Sequence, residues 1–217
     1  MMLGVVVSHP SKTAKGWGSL IVVIQRVGHP ALGFRVMPEA EIQFPEIRLL
    51  TGKGSSARYS NAMKGEATSY ETVIFDFSYF TGAGKIRRGV NQTVAAFHSP
   101  GANMPEFQLT PRTLESKIKF LFGAKQLKLE ASPNFSSRYV VTGADLEMAA
   151  MLFTPGVLRF FESRATNFLI VEGYWDWIIV YRPEHRVKPS NLAEFLEGAS
   201  QIAISLLGQV PRPLLAK

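Results

Sequence analysis

Cysteine is absent from the 217 residues of the chain. This excludes disulfide bonds, thiolate metal sites and a cysteine nucleophile, and it fits a reducing compartment. The chain does not need such cross-links, because 46% of its residues are hydrophobic. That fraction is typical of a globular domain that stabilises itself by burying a core.

Long hydrophobic runs are also missing. The best candidate for a membrane span covers residues 20–24, inside the segment 18–27, whereas a membrane-spanning helix needs roughly 20 apolar residues. Residues 1–7 are apolar but carry no basic segment of the kind that opens a signal peptide. We therefore expect a cytoplasmic protein. If it acts at a membrane, we expect it to bind the membrane surface peripherally.

Acidic residues are fewer than basic residues. Asp and Glu number 17 against 24 Lys and Arg, which gives a formal net charge of +7 and a pI near 9.7. Such a balance favours an anionic partner: nucleic acid, acidic lipid headgroups or an acidic protein. A basic but merely solvated surface explains the same numbers and stays open as an alternative.

No recognisable set of catalytic, cofactor-binding or metal-ligating residues emerges from the sequence. The four histidines, His9, His29, His98 and His185, show no metal-ligand spacing. A serine nucleophile motif of the GxSxG type is absent. We therefore assign no catalytic residue, no cofactor and no metal site.

The glycine-rich segment TGAGKIRR, residues 81–88, resembles a phosphate-binding loop only superficially. That motif requires glycine where Tyr79 stands and Ser or Thr where Ile86 stands, and it must be followed by a helix. Here the alternating residues that follow predict a strand. We interpret the segment as a hairpin tip that carries Lys85, Arg87 and Arg88 into solvent, and we predict these three as contacts to an anionic partner.

The order of the predicted elements indicates an α+β fold. Alternation and β-branched or aromatic residues predict a meander of antiparallel strands, and apolar positions at helical spacing predict helices that pack on one face of the sheet. A C-terminal hairpin and a closing helix complete the domain. Residues 34–37 are expected to begin the domain. The predicted strands cover residues 57–66, 70–79, 88–98, 106–109, 138–142, 168–171 and 175–181, and the predicted helices cover residues 113–123, 146–153, 155–164 and 190–207.

We divide the chain into an N-terminal extension, residues 1–33, the α+β domain, residues 34–208, and a C-terminal tail, residues 209–217. Asp145 and Ser190 are the expected N-caps of their helices, because both side chains can accept a hydrogen bond from a first-turn amide.

Two groups within the strands have both structural and functional interpretations. Asp76 lies inside the hydrophobic strand VIFDFSYF, where an isolated charge would be costly. We favour an exposed Asp76 that pairs with a cation on a neighbouring strand, and keep a buried functional acid as the alternative. Trp175 and Trp177 are expected to share a face with Ile179 and Tyr181. We favour a role for this face in the core, and keep as the alternative a platform on which bases or sugars stack.

Five blocks in fixed order carry a resemblance to a protein family. The blocks are FDFSYFTGAGK, NQTVAAF, PEFQLTP, FSSRYVVTGAD and GYWDWIIVYRPEHRVKP; they lie between residues 75 and 189, and the resemblance covers roughly residues 33–207. In this pattern the chain resembles an uncharacterised family of bacterial proteins whose members often carry an N-terminal membrane anchor. The chain departs from that pattern at its N-terminus, and the family has no established activity from which catalytic residues could be transferred.

Three functions follow as hypotheses. The first is a non-catalytic binding or accessory module, a peripheral subunit of a larger, membrane-associated assembly whose partner is a protein or an anionic membrane surface. The alternative is a nucleic-acid-binding protein, which the charge favours but no recognised motif supports. An enzyme built around Asp76 or a histidine ranks third, and no small-molecule substrate is identified.

Overall fold

The computed structural model describes residues 34–37, 55–67, 70–82, 87–115, 125–127, 129, 132–163 and 168–209. The predicted N-terminal extension lies outside this set, so the proposed domain boundaries stay predictions.

The described strands form one antiparallel sheet of nine members, in the order β1-β2-β3-β4-β9-β8-β5-β7-β6. Every pairing in it is antiparallel. The α+β class with an antiparallel sheet is thereby confirmed. The strands are β1 Arg35–Val36, β2 Ser55–Ala67, β3 Tyr70–Thr81, β4 Arg88–His98, β5 Met104–Pro111, β6 Lys125–Leu127, β7 Tyr139–Gly143, β8 Ile170–Trp175 and β9 Trp177–Tyr181.

The meander β2-β3-β4 forms one half of the sheet, as the alternation of its residues predicted. Strand β2 is interrupted between Ser60 and Met63, where its register against β3 shifts. Asn61 lies in this bulge with φ at 51°, a left-handed conformation that Asn tolerates better than most residues. The bulge brings the Asn61 side chain within hydrogen-bonding distance of the next strand.

The hairpin β8-β9 joins the two halves of the sheet, because β9 pairs with β4 and β8 pairs with β5. Trp177 lies in the same buried cluster as Ile179 and Tyr181. The prediction that Trp175 shares this face was wrong. Trp175 sits at the hairpin turn with φ at 53° and is 60% exposed, since the reversal of the chain interrupts the alternation there.

The described helices are α1 Arg112–Glu115, α2 Pro133–Arg138, α3 Leu146–Leu152, α4 Pro155–Ser163 and α5 Leu192–Leu207. Asp145 caps α3 as predicted, because its carboxylate accepts hydrogen bonds from the amides of Glu147 and Met148. Ser190 does not cap α5: it lies in a 3-10 turn, Pro189–Asn191, and Asn191 takes the cap position. Most of the predicted helix 113–123 lies outside the described residues.

Apolar side chains are buried on both faces of the sheet. Helices α3, α4 and α5 contribute to the cluster that contains Ile74, Phe97 and Ile178. The opposite face holds a second cluster around Phe75, Phe77 and Ile179, against which Leu114 of α1 packs. Each large apolar side chain that folding buries in this way contributes about 1.5–3 kcal/mol.

Three short elements, β1, β6 and α2, were not predicted. Lys125–Leu127 is too short to show the alternation that indicates a strand. It becomes a strand through its pairing with β7. Among the helices that the structure describes, none is long and apolar enough to cross a membrane.

Candidate functional site

The loop that follows β9, residues 182–188, runs beside the first half of β4. Strand β9 pairs with β4 only from Val94 onward. Before Val94, the loop lies beside β4 in place of β9. The amide of Thr93 donates to the carbonyl oxygen of His185 at 3.1 Å, and the amide of Val187 donates to Oγ1 of Thr93 at 2.9 Å. The basic loop RPEHRVK is thus fixed against the strand that begins with Arg88.

A polar network anchors this loop to the interior. Asp76 is 3% exposed and accepts hydrogen bonds from Nδ2 of Asn61 at 2.9 Å and from Oγ1 of Thr93 at 2.8 Å. Nε of Arg186 completes the set at 2.7 Å from Oδ2 of Asp76. The expectation of an exposed Asp76 was therefore wrong, because the loop covers its face and supplies the cation that makes burial tolerable.

Of the three predicted contact residues, Lys85 lies outside the described residues. The guanidinium carbon of Arg87 lies 4.2 Å from the centroid of the Phe80 ring. Nη2 of Arg88 lies 2.9 Å from Oε2 of Glu184. No acidic residue lies between Asp76 and Glu106 in the sequence, so the carboxylate that pairs with Arg88 comes from the loop after β9.

Five cations gather on the side of the sheet where β3 ends, β4 begins and β9 ends. We call this surface the basic rim, which consists of Arg87, Arg88, Arg182, Arg186 and Lys188. All five are exposed, and only the carboxylates of Asp76 and Glu184 face them among the contacts described.

Two exposed aromatic rings accompany the rim. Phe80 is 40% and Phe168 51% exposed, and Arg182 lies 5.0 Å from the centroid of the Phe168 ring. Arginine over an aromatic face is favourable without desolvating either group fully. The rim therefore combines positive charge with apolar surface.

Between the loop and β4 lies a cleft of about 390 Å³. Its lining is Arg88, Gly89, Val90, Asn91, Glu184 and Arg186. Two guanidinium groups thus face one small space, and a single carboxylate shares it with them.

His185 lies in the same loop. Partial burial lowers the pKa of its imidazole, and the positive charges of Arg182 and Lys188 lower it further. The side chain is therefore neutral at physiological pH. His98, at the other end of the sheet, stacks on Trp177 with ring centroids 4.4 Å apart, and the structure does not bring it near His185.

A second buried polar group lies on the opposite face of the sheet, around Glu172. Its Oε1 accepts hydrogen bonds from Nε2 of Gln108 at 2.7 Å and from the hydroxyl of Tyr181 at 2.6 Å. Burial raises the pKa of Tyr181 well above its ordinary value, and the charge of Glu172 adds to this. These three residues lie at the centre of the sheet, and none of them lines the cleft beside β4.

A larger groove, about 460 Å³, lies by strands β6 and β7 and helix α2. Its lining is mostly apolar and includes one cation, Arg112, whose Nε donates to the carbonyl oxygen of Ser136 at 2.7 Å. We place the candidate site at the basic rim, because two arginines line the cleft there, whereas a single arginine lines the groove.

Within the described part of the chain, no group of three or more His, Asp or Glu residues could hold a metal ion. The residues of the rim that the sequence did not assign are Arg182, Arg186 and Lys188. The only local signal was their density in RPEHRVK; their position beside Arg88 depends on the pairing of β9 with β4.

No protein-family model matches the chain, and no curated protein matches it. Among solved structures it is similar to the crystal structure of the mycobacterial trehalose monomycolate transport factor A, TtfA. The TM-score is 0.58 at 14% sequence identity, over 90% of this chain and 94% of that chain. At this identity the likeness shows a shared fold.

Proposed function

We propose that the protein is a non-catalytic accessory module that docks on an anionic membrane surface through its basic rim, as a peripheral subunit of a larger assembly. The observation that carries this proposal is the position of the loop 182–188, which adds Arg182, Arg186 and Lys188 to the predicted Arg87 and Arg88.

The physical basis is the combination of charge and aromatic rings at one edge. Single exposed ion pairs contribute only about 0–1 kcal/mol, so useful affinity needs several of them together. Phe80 and Phe168 add apolar contacts of the kind that enter the boundary between headgroups and acyl chains. Because the cations and the two rings lie side by side, a membrane surface could contact both at once.

The structural neighbour supports an accessory role. That protein is named as a transport factor, and the similarity covers nearly the whole of this chain. We infer that this fold suits a component that assists a membrane process by binding. The alternative, a nucleic-acid-binding protein, rests on the same charge and on the same exposed rings, which could stack on bases, but no recognised nucleic-acid-binding motif supports it.

The test is co-sedimentation with vesicles of phosphatidylglycerol and phosphatidylcholine, compared with vesicles of phosphatidylcholine alone. We expect binding only to the anionic vesicles, falling steeply with salt, because screening at about 0.15 M salt reaches only roughly 8 Å. The variant Arg87→Glu/Lys188→Glu should lose this binding.

The matched control is Arg35→Glu/Arg159→Glu, which changes net charge equally at two exposed positions outside the rim; Arg35 lies on β1 opposite Lys64, at the other end of the meander. It should retain binding. Equal losses in both variants would show that net charge alone governs adhesion. Binding to single-stranded DNA but not to vesicles would favour the alternative.

A further inference from the structure

The first half of β4 exposes a backbone edge that no strand covers in the described part of the chain. The amide of Thr93 donates to His185, away from β3. Since the amides of an antiparallel strand alternate in direction, those of Gly89 and Asn91 point to the same side. Strand β9 ends level with Val94 and does not reach them.

These amides face the cleft that Arg88 and Arg186 line. Asp76 holds Arg186 through Nε, which leaves the two terminal nitrogens of that guanidinium for another acceptor. Oδ1 of Asn91 accepts from Oγ of Ser78 at 2.7 Å, so the amide nitrogen of Asn91 also remains a donor. The cleft therefore gathers donors from two arginines, one side-chain amide and the backbone.

Glu184 is the one carboxylate among the residues that line the cleft. It pairs with Arg88 at 2.9 Å and lies in a left-handed conformation, with φ at 57°. Its amide donates to Oε1 of Gln92 at 3.3 Å, which helps to hold that uncommon backbone. The carboxylate occupies a position that an external anion would take.

We propose that the cleft binds the phosphate of an anionic lipid headgroup, and that the phosphate displaces Glu184 from Arg88. This rests on the proposed function and names its ligand. Tetrahedral phosphate has enough acceptor oxygens to use two guanidinium groups and backbone amides at once, for which arginine is better suited than lysine. A headgroup is the source because Phe80 and Phe168 lie on the same rim.

The first experiment titrates inorganic phosphate into the ¹⁵N-labelled full chain at constant ionic strength, with chloride as the reference anion. The amide resonances of Gly89 and Asn91 should shift saturably. Arg88→Gln should weaken phosphate binding about tenfold or more, since a hydrogen bond to a charged group contributes about 1.5–3 kcal/mol. Glu184→Gln should strengthen it a few-fold by removing the competitor.

Arg159→Gln is the matched control, because Arg159 is exposed on α4, and it should bind phosphate like the unaltered chain. Unmoved resonances of Gly89 and Asn91, or an equal weakening in Arg159→Gln, would overturn the cleft as a phosphate site. Arg88→Gln removes only an exposed pair, so its folding is checked by the unchanged remainder of the spectrum.

Phosphatidylglycerol vesicles then identify the source. We expect inorganic phosphate to compete with them, and Arg88→Gln and Glu184→Gln to change vesicle binding in opposite directions. Saturable phosphate binding without competition would overturn the headgroup as ligand. Vesicle binding that depends on Arg87 and Lys188, but not on Arg88 or Glu184, would contradict this inference and leave the docking proposal standing.

Discussion

Nε of Arg186 lies 2.7 Å from Oδ2 of Asp76, although the two residues are far apart in sequence. Asp76 is buried, whereas the Arg186 side chain is about half exposed. The pair therefore connects the interior of the sheet to the loop that forms the basic rim, and it fixes where that loop lies.

The first prediction concerns this pair. Arg186→Gln leaves a buried carboxylate with two neutral donors, and we expect the free energy of unfolding to fall by about 1–3 kcal/mol. In the Arg186→Gln variant, Asp76→Asn should lower the free energy of unfolding by about 1 kcal/mol less than it does in the unaltered chain, because the ion pair with Arg186 is already absent. Urea denaturation measures all four proteins, and strictly additive losses would show that the pair does not couple.

How far the sequence predicts this protein depends on the range of the interactions. The meander and the cap of α3 follow from neighbouring residues: alternation for β3 and β4, and a carboxylate at Asp145 two and three residues before its donors. The burial of Asp76 and the pairing of Arg88 with Glu184 do not, because both depend on where the chain returns after β9. No local pattern around either residue contains that information.

The second prediction concerns the buried hydroxyl of Tyr181. Tyr181→Phe removes the donor that lies 2.6 Å from Oε1 of Glu172 in a fully buried position. We expect a loss of about 1–3 kcal/mol in the free energy of unfolding. Tyr174→Phe, on the same strand pair but only partly buried, is the control and should change it by less than about 0.5 kcal/mol.

A third prediction compares two glycines. A Cβ on Gly173 would overlap the ring of Phe107, whereas a Cβ on Gly198 would meet no atom within 4 Å. Gly173→Ala should therefore destabilise the protein by about 1–3 kcal/mol through overpacking. Gly198→Ala lies inside α5 and should stabilise it by about 0.5–1 kcal/mol, because alanine favours the helix. Thermal denaturation of the two variants should move the midpoint in opposite directions.

The fourth prediction is a pH dependence at the rim. The pKa of His185 is lowered from 6.5 by burial first and by Arg182 and Lys188 second. The unfolded chain therefore binds more protons near pH 6.5, so the contribution of His185 to the free energy of unfolding falls as pH drops below 6.5 and levels off below the folded-state pKa.

NMR titration of the imidazole resonances tests this assignment. Arg182→Gln/Lys188→Gln should raise the pKa of His185 only part of the way to 6.5, because burial remains. A return to the full value would mean that the two cations, and not burial, dominate. His185→Asn should remove this contribution to the slope of stability against pH.

The last prediction uses the turn of the hairpin β8-β9. Trp175 adopts a left-handed φ of 53°, a conformation that is strained for a bulky residue and easier for Asn. Its indole is 60% exposed, so little burial is lost on replacement, although it contacts Tyr174 edge-on with centroids 6.4 Å apart. We expect Trp175→Asn to keep or raise the free energy of unfolding, by up to about 1 kcal/mol. Trp175 also lies at the end of the sheet opposite the basic rim, so the same variant should bind phosphatidylglycerol vesicles as the unaltered chain does. A loss of stability would show that the indole packing outweighs the backbone strain, and a loss of vesicle binding would place part of the docking surface at the wrong end of the sheet for the function proposed here.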